Sequence, residues 1–387
     1  MRNASNASST NRSTPSVIWF PIRKSMRGAW LFSFALAWFM TTDVVACEQV
    51  RAALDIGSGT TKMVVARVNY CENLVLEVLA PASGTKLERM VEYSKHTVEA
   101  SDGRKVFTDE VVAQGLATIL ELKAVALTHG AGAFSAVATS AFRSVDSAHS
   151  RAVLERIRQE TGFQVVVIPQ ELEARIGFLA AAIKVGIPRE RLVVWDIGSG
   201  SMQISYWDRE ADSVAGDLGN FANEAMHRFL IEVLQGRNYR GTASPNPIGP
   251  NDLSRAIQQA ETMARVNVPA GLLDRLRTFG NGVVGIGSVH FYSNCEVMQR
   301  FSTDGCAFTR DELRDQAFSS AYLTDRELVE AGRSETLEFA LFRVSGAALT
   351  VGFMNAFSIE RIRAIEAHMG HGILINPDFW GSEKMVF

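Results

Sequence analysis

The pentapeptide Asp-Ile-Gly-Ser-Gly occurs twice, at 55–59 and at 196–200, with the two copies 141 residues apart. Each follows a near-continuous apolar run and precedes a second one, RAALDIGSGTTKMVVARV over 51–68 and RLVVWDIGSGSMQISYWD over 191–208. One copy alone reads as a hairpin turn. Two copies in the same strand, turn, strand context read as duplicated domains facing each other across a cleft. Glycine and serine allow close backbone approach and form nests of N–H groups, so a phosphate chain in the cleft would meet both loops.

The elements around these loops set the frame. After the first loop, LVLEVLA (74–80) reads as a third strand, and helical periodicity takes over at 109–130 with Thr108 as N-cap. FSAVATSA (134–141) is a short buried strand, 149–162 an amphipathic helix stopped by Gly162, FQVVVIP (163–169) a strand and ELEARIGFLAAAIKVG (171–186) a helix. The order is βββαβαβα, and it restarts at Arg191. We expect an α/β fold of two such ribonuclease-H-like domains, the first over 47–186 and the second over 187–387, with 1–46 outside them. The stretch 236–250 is rich in Pro and Gly and reads as a surface loop in which Arg237, Tyr239 and Arg240 could touch a long anion.

Duplicated βββαβαβα halves with Asp-x-Gly loops resemble the actin, sugar-kinase and chaperone ATPase superfold. Within it the chain resembles the exopolyphosphatase/guanosine pentaphosphate phosphohydrolase (Ppx/GppA) family. Five stretches carry the resemblance: LDIGSGTTKMVV, ATSAFRSVDS (138–147), IPQELEARIGFLAA (168–181), LVVWDIGSGSMQIS and RVSGAALTVGFMNAFSIERI (343–362). The additional helical phosphohydrolase domain common at the C-terminus of the family is not expected in these 387 residues.

The resemblance implies hydrolysis of phosphoanhydrides, which needs a base for the attacking water, cations against the phosphoryl charge and a cradle for the chain. Glu173, in Leu172-Glu173-Ala174-Arg175, matches the family's catalytic glutamate. Asp55 and Asp196 look like the carboxylates that hold Mg²⁺, a hard cation that prefers oxygen ligands. Arg143 is placed to grip phosphate oxygens bidentately. Ser58, Gly59 and Thr60 in the first loop and Gly198, Ser199, Gly200 and Ser201 in the second would supply donors, with Gly287 and Ser288 of a third turn beside them. Two positions depart from the family pattern: Leu172 and Gln203 stand where carboxylates are expected. The implied substrate is inorganic polyphosphate or a polyphosphorylated nucleotide, and a weakened binding protein of the same superfold is the alternative. His368 and His371 form an HxxH without a third ligand, which reads as a helix end rather than a metal site.

With 39 Lys and Arg against 42 Asp and Glu, the net charge of −3 provides no broad positive field, so no nucleic-acid partner is expected. Residues 1–20 are rich in Ser, Asn and Thr. Arg23, Lys24 and Arg27 then precede the apolar run 29–40, and Val-Val-Ala-Cys ends at Cys47. Twelve apolar residues fall short of the roughly 20 that span a bilayer, so the segment reads as an export signal to the periplasm. Met26 is a second candidate start. The tetrapeptide resembles a lipobox, leaving lipid attachment through Cys47 and plain cleavage nearby as alternatives. In an oxidising compartment Cys295 could pair with Cys306, with Cys71 left as an odd thiol. A homodimer is left open.

Overall fold

Apolar runs such as Ala52–Leu54 and Leu192–Trp195 are what strands covered on both faces require. In the computed structural model of the protein, these runs form the centre of two mixed sheets. The structure describes residues 47–81, 86–239, 244–266, 268–279, 282–300, 302 and 305–380. The expected leader at 1–46 and Arg240 lie outside the described residues.

The first sheet contains β1 (Glu48–Ile56), β2 (Thr60–Asn69), β3 (Leu74–Ala80), β4 (Glu88–Met90), β7 (Ala133–Ala138) and β8 (Gln164–Val167) in the order β3-β2-β1-β7-β8, with β4 pairing β2. A small ribbon of β5 (Thr97–Glu99) and β6 (Lys105–Phe107) stands apart. The second sheet has the order β11-β10-β9-β12-β14-β13, from β9 (Val193–Ile197), β10 (Met202–Asp208), β11 (Ser213–Gly219), β12 (Val283–Ile286), β13 (Cys306–Thr309) and β14 (Arg361–Ala364). In both sheets an antiparallel meander of three strands continues into parallel strands, β1 beside β7 and β9 beside β12. The duplication read from the two pentapeptides is therefore a duplication of topology.

Alternation along the central strands distributes the core between the two faces of each sheet. Ala52, Leu54 and Ile56 join the cluster under the helices Asp109–Thr128 and Ser147–Thr161, while Ala53 points to the opposite face. Trp195 and Ile197 enter the large core of the second half, and Val194 faces the other way. Thr108 caps the helix 109–128 by accepting from Val111 N–H, and Gly162 ends the helix 147–161 in the left-handed conformation.

One helix belongs to both sheets. Gln170–Val185 packs Ile176 into the cluster of the first sheet and Phe178, Ala180 and Ala181 into that of the second. The C-terminal segment also crosses over: Met369, Ile373, Leu374 and Phe379 cover the first sheet beside Ala53 and Val64. The expected boundary at 186/187 separates the sheets in sequence, but 369–380 returns to the first of them.

Cys47 is bonded to Cys71, and Cys295 to Cys306. The second pair is as read. The first corrects one expectation, since Cys71 is not an odd thiol; it also engages the Cys47 sulfur, which while in a disulfide has no valence for a thioether. Alkylation under non-reducing conditions is expected to find no free thiol at any of the four positions. Replacing Cys295 and Cys306 by serine should cost about 2–4 kcal/mol in urea unfolding, whereas a readily alkylated Cys71 in the native protein refutes the first pairing.

Candidate active site

Asp55 ends β1 and Asp196 ends β9, each followed by a turn closed by the same backbone bond, Gly57 N–H to Thr60 O at 2.9 Å and Gly198 N–H to Ser201 O at 3.0 Å. The two loops touch reciprocally. A Cβ on Gly59 would lie 2.7 Å from Ser199 Oγ, and a Cβ on Gly200 would collide with Ser58 Oγ, so each loop's serine occupies the space that the other's last glycine leaves open.

The loop carbonyls are spent away from this junction. Ser58 O accepts from Ser94 N–H, Gly59 O from Val91 N–H, Gly198 O from Asn223 N–H, Ser199 O from Glu224 N–H and Gly200 O from the Ser140 hydroxyl. In a trans peptide the following N–H points opposite to its carbonyl. The N–H groups of Gly59, Thr60, Ser199, Gly200 and Ser201 therefore run the other way, and all five residues line one small cavity.

That cavity also brings together Asp55, Asp196, Glu173 and Lys62. Glu173 sits in the first turn of the helix 170–185 and is only 7% exposed. Its Oε2 lies 2.9 Å from Arg143 Nη2, and its Oε1 accepts from the Ser201 hydroxyl at 3.2 Å. Burial pushes the Glu173 pKa up, and Arg143 and Ser201 offset only part of the rise. Burial likewise raises Asp55, and it lifts Asp196 to about 7 with Glu173 and Asp55 adding to the effect against Lys62.

Lys62 was missed in the sequence. It pairs directly with Asp55 across β1 and β2 and with Glu88 across β2 and β4, which puts all three side chains on one face. Burial works against its ammonium, but Asp55, Glu88, Asp196 and Glu173 together hold its pKa above the ordinary value. The signal was the duplication itself. Lys62 stands seven residues after Asp55 as Gln203 stands seven after Asp196, and the register Asp196 to Gln203 repeats Asp55 to Lys62.

Arg143 is held within the protein rather than left free: Nη1 donates to Ile168 O at 2.7 Å while Nη2 pairs with Glu173. In the third turn Gly287 N–H is spent on Ala367 O and the Ser288 hydroxyl on Glu88 at 2.6 Å, so these two groups are engaged within the protein. Gly287, at φ +81°, instead leaves room for Asp196 Oδ1, where any Cβ would collide. Leu172 packs into the apolar cluster of the first sheet, and Gln203 is buried outside the cavity with Nε2 lacking an acceptor among the described residues. His368 and His371 are a helix cap, as read: His368 Nδ1 accepts from Gly370 N–H and His371 Nδ1 from His368 N–H.

Among the described residues no three His, Cys, Asp or Glu side chains form a metal cluster by themselves. The donors in this cavity whose chemistry would fit a hard dication are the carboxylates of Asp55 and Asp196.

The profile of the Ppx/GppA phosphatase family matches residues 85–219, a span that includes Arg143, Glu173, Asp196 and the second loop. That stretch is similar to the Ppx/GppA phosphatase family. Exopolyphosphatase 1 of Mycobacterium tuberculosis is 30% identical over 184 residues, 48% of this chain and 50% of that protein. The chain thus spans about half the length of the curated relatives it matches. Among solved structures, the Aquifex aeolicus Ppx/GppA family member superposes with a TM-score of 0.61 at 15% identity, covering 85% of this chain and 97% of that one. An exopolyphosphatase from Cytophaga hutchinsonii gives 0.62 at 17% identity, with 84% and 96% covered. These Ppx/GppA structures share the actin-like fold of this chain.

Two outcomes follow from the site's electrostatics. The fold favours protonated Asp196, so this contribution to stability is complete below about pH 4 and is lost as the pH rises through its folded value. In metal-free protein Asp196→Asn should therefore match the wild type near pH 4 and exceed it by about 1–3 kcal/mol near pH 8; parallel urea curves at both pH values would contradict this. Leu172→Glu, by placing a carboxylate against apolar neighbours, should cost about 2 kcal/mol or more, and thermal melting checks it.

Proposed function

We propose that the protein is a phosphoanhydride hydrolase that removes terminal phosphate from inorganic polyphosphate or a related polyphosphorylated anion. The observation that carries this reading is Glu173, buried at the cavity of the two loops and held there by Arg143 and Ser201. A carboxylate with a raised pKa is a better base near neutrality than an ordinary one. Arg143 and Ser201 fix its two oxygens, so it can take a proton from water placed over the terminal phosphoryl group. The five loop N–H groups and the Lys62 ammonium would hold that phosphoryl group and offset its charge. Magnesium, bound by Asp55 and Asp196 with the phosphate, would supply further neutralisation.

The rest of a chain has one roomy direction to follow. Next to the loops, at Gly200, Ser140 and Arg143, opens a trough of about 630 Å³ with Lys95, Lys105 and Arg228 among its residues. On the opposite side, beside Gly59 and Ser199, the space is only about 40 Å³ and is walled by Tyr292, Phe339 and Phe342. A long anion suits the first, and a nucleoside has no matching room in the second. Export is part of the proposal: the cationic and apolar leader is supported by two disulfides, which persist in oxidising compartments. The disulfide at Cys47 favours plain cleavage over lipid attachment.

Phosphate release should be measured with polyphosphate, guanosine pentaphosphate and ATP in parallel, with and without chelator. Polyphosphate is expected to be preferred, with activity lost on chelation. Glu173→Gln should lower kcat by about 10²–10⁴ with little change in KM, and should remove the acid limb of the pH profile, which lies above the ordinary glutamate range in the wild type. Unchanged kcat in Glu173→Gln would refute the assignment of the base, and tight polyphosphate binding without turnover in the wild type would leave a binding protein.

A further inference from the structure

The cavity of the two loops has a neighbour on the side away from the trough. Gly59, Thr60, Gly198 and Ser199 line both, so the two spaces meet at the loops. Two buried residues of the second space hold polar atoms without partners among the described residues: Asn223, 7% exposed, has no donor for Oδ1, and Arg343, 2% exposed, has no acceptor for Nε. The rings of Tyr292, Phe339 and Phe342 supply much of the remaining wall. Aromatic faces beside an unsatisfied amide oxygen and an unsatisfied guanidinium N–H are the chemistry that holds a planar base, by stacking and by hydrogen bonds at its edges. Yet at about 40 Å³ the space has room for no more than a few water molecules.

Lys86 is what fills it. The residue stands just before β4 of the first sheet and reaches across to the second half, where Nζ lies over the Tyr292 ring, 4.5 Å from its centroid, and 5.8 Å from that of Phe339. The ammonium is tied there, to Glu296 Oε1 at 2.7 Å and to Glu335 Oε2 at 2.5 Å. Glu296 is fixed in turn: its Oε2 pairs with Arg343 Nη2 at 2.6 Å and accepts from Glu335 N–H at 3.2 Å, while Arg343 Nη1 donates to the Ser293 hydroxyl at 2.8 Å. Two residues on, Glu88 accepts from the Ser288 hydroxyl, so the strand that carries Lys86 inward is also tied to the second half. A lysine anchored in this way covers the ring face on which a base would stack.

We propose that Lys86 is a specificity-determining residue, an internal plug that occupies the place of a nucleobase and so turns the loop cavity toward polyphosphate and away from polyphosphorylated nucleosides. The inference rests on the reading of the loop cavity as the site of a phosphoanhydride hydrolase. It needs the bulk of Lys86 on the rings and not its charge, which separates it from a general attraction of an ammonium for polyanions.

The test uses the full chain with Mg²⁺ and compares kcat/KM for polyphosphate with kcat/KM for guanosine pentaphosphate and for ATP. Lys86→Ala is expected to shift the ratio toward the two nucleotides by about 10-fold, the scale of one base stacking on one aromatic ring. The variant leaves Glu296 paired with Arg343 and Glu335 mostly in solvent, so no buried carboxylate loses its last partner. Lys86→Met removes the charge and keeps the bulk, and should hold the ratio at the wild-type value. Tyr292→Ala added to Lys86→Ala should cancel the gain, because the ring face is gone. A ratio unchanged in Lys86→Ala, one raised equally by Lys86→Met, or a gain that survives the loss of Tyr292 would overturn the proposal. The two layers separate: if the wild type releases phosphate from none of the three substrates, the hydrolase reading falls and takes this inference with it. If polyphosphate is hydrolysed and the ratio ignores Lys86→Ala, the plug alone falls.

Discussion

Three carboxylates and one ammonium share a cavity of about 30 Å³, and most of the site's architecture answers that imbalance. Asp55, Asp196 and Glu173 all have raised proton affinities because burial penalises their charge, and Lys62 is held charged because they surround it. The folded state tolerates this arrangement only because the carboxylates are individually restrained. Arg143 and Ser201 hold Glu173, Lys62 faces Asp55 across a strand pair, and Gly287 makes room for Asp196. In the proposed function, a bound cation would relieve this crowding of carboxylates.

The helix 170–185 converts that local balance into a global one. Its two apolar faces lie on different sheets, so Glu173 is located by both halves at once. A small rotation of either sheet would move Glu173 relative to one of the two loops. Gly177 permits the closeness, since a Cβ there would press on Met369 and Ile286 and approach Asp196. Glu173, the loops and the C-terminal turn therefore share a single packing problem.

Period and repetition made the two sheets legible in the sequence: the repeated pentapeptide located both loops, and continuous apolar runs located the central strands. Glu173, Asp55 and Asp196 followed because their motifs are local. Lys62 escaped because the motif was read as ending at Thr60, although its counterpart Gln203 had been singled out. Gly287 and Ser288 were assigned to phosphate because the resemblance places a third phosphate-side turn there. Their actual partners, Ala367 and Glu88, lie 80 and 200 residues away, and such contacts leave no local trace. The return of 369–380 to the first sheet and the Cys47 to Cys71 bond were hidden for the same reason.

The reciprocal contact of the loops bears on how such a chain could arise. Ser58 against Gly200 and Ser199 against Gly59 is the pairing of one surface with itself, as in an isologous dimer with a twofold axis. Joining two copies end to end would need no new contact at that axis. A symmetric pair, however, must repeat every residue, so it would place two lysines or none beside the paired aspartates. Fusion lifts that constraint, so Lys62 can stand on one side and Gln203 on the other, and a centre with a single ammonium is open to a protein whose halves have become free to differ.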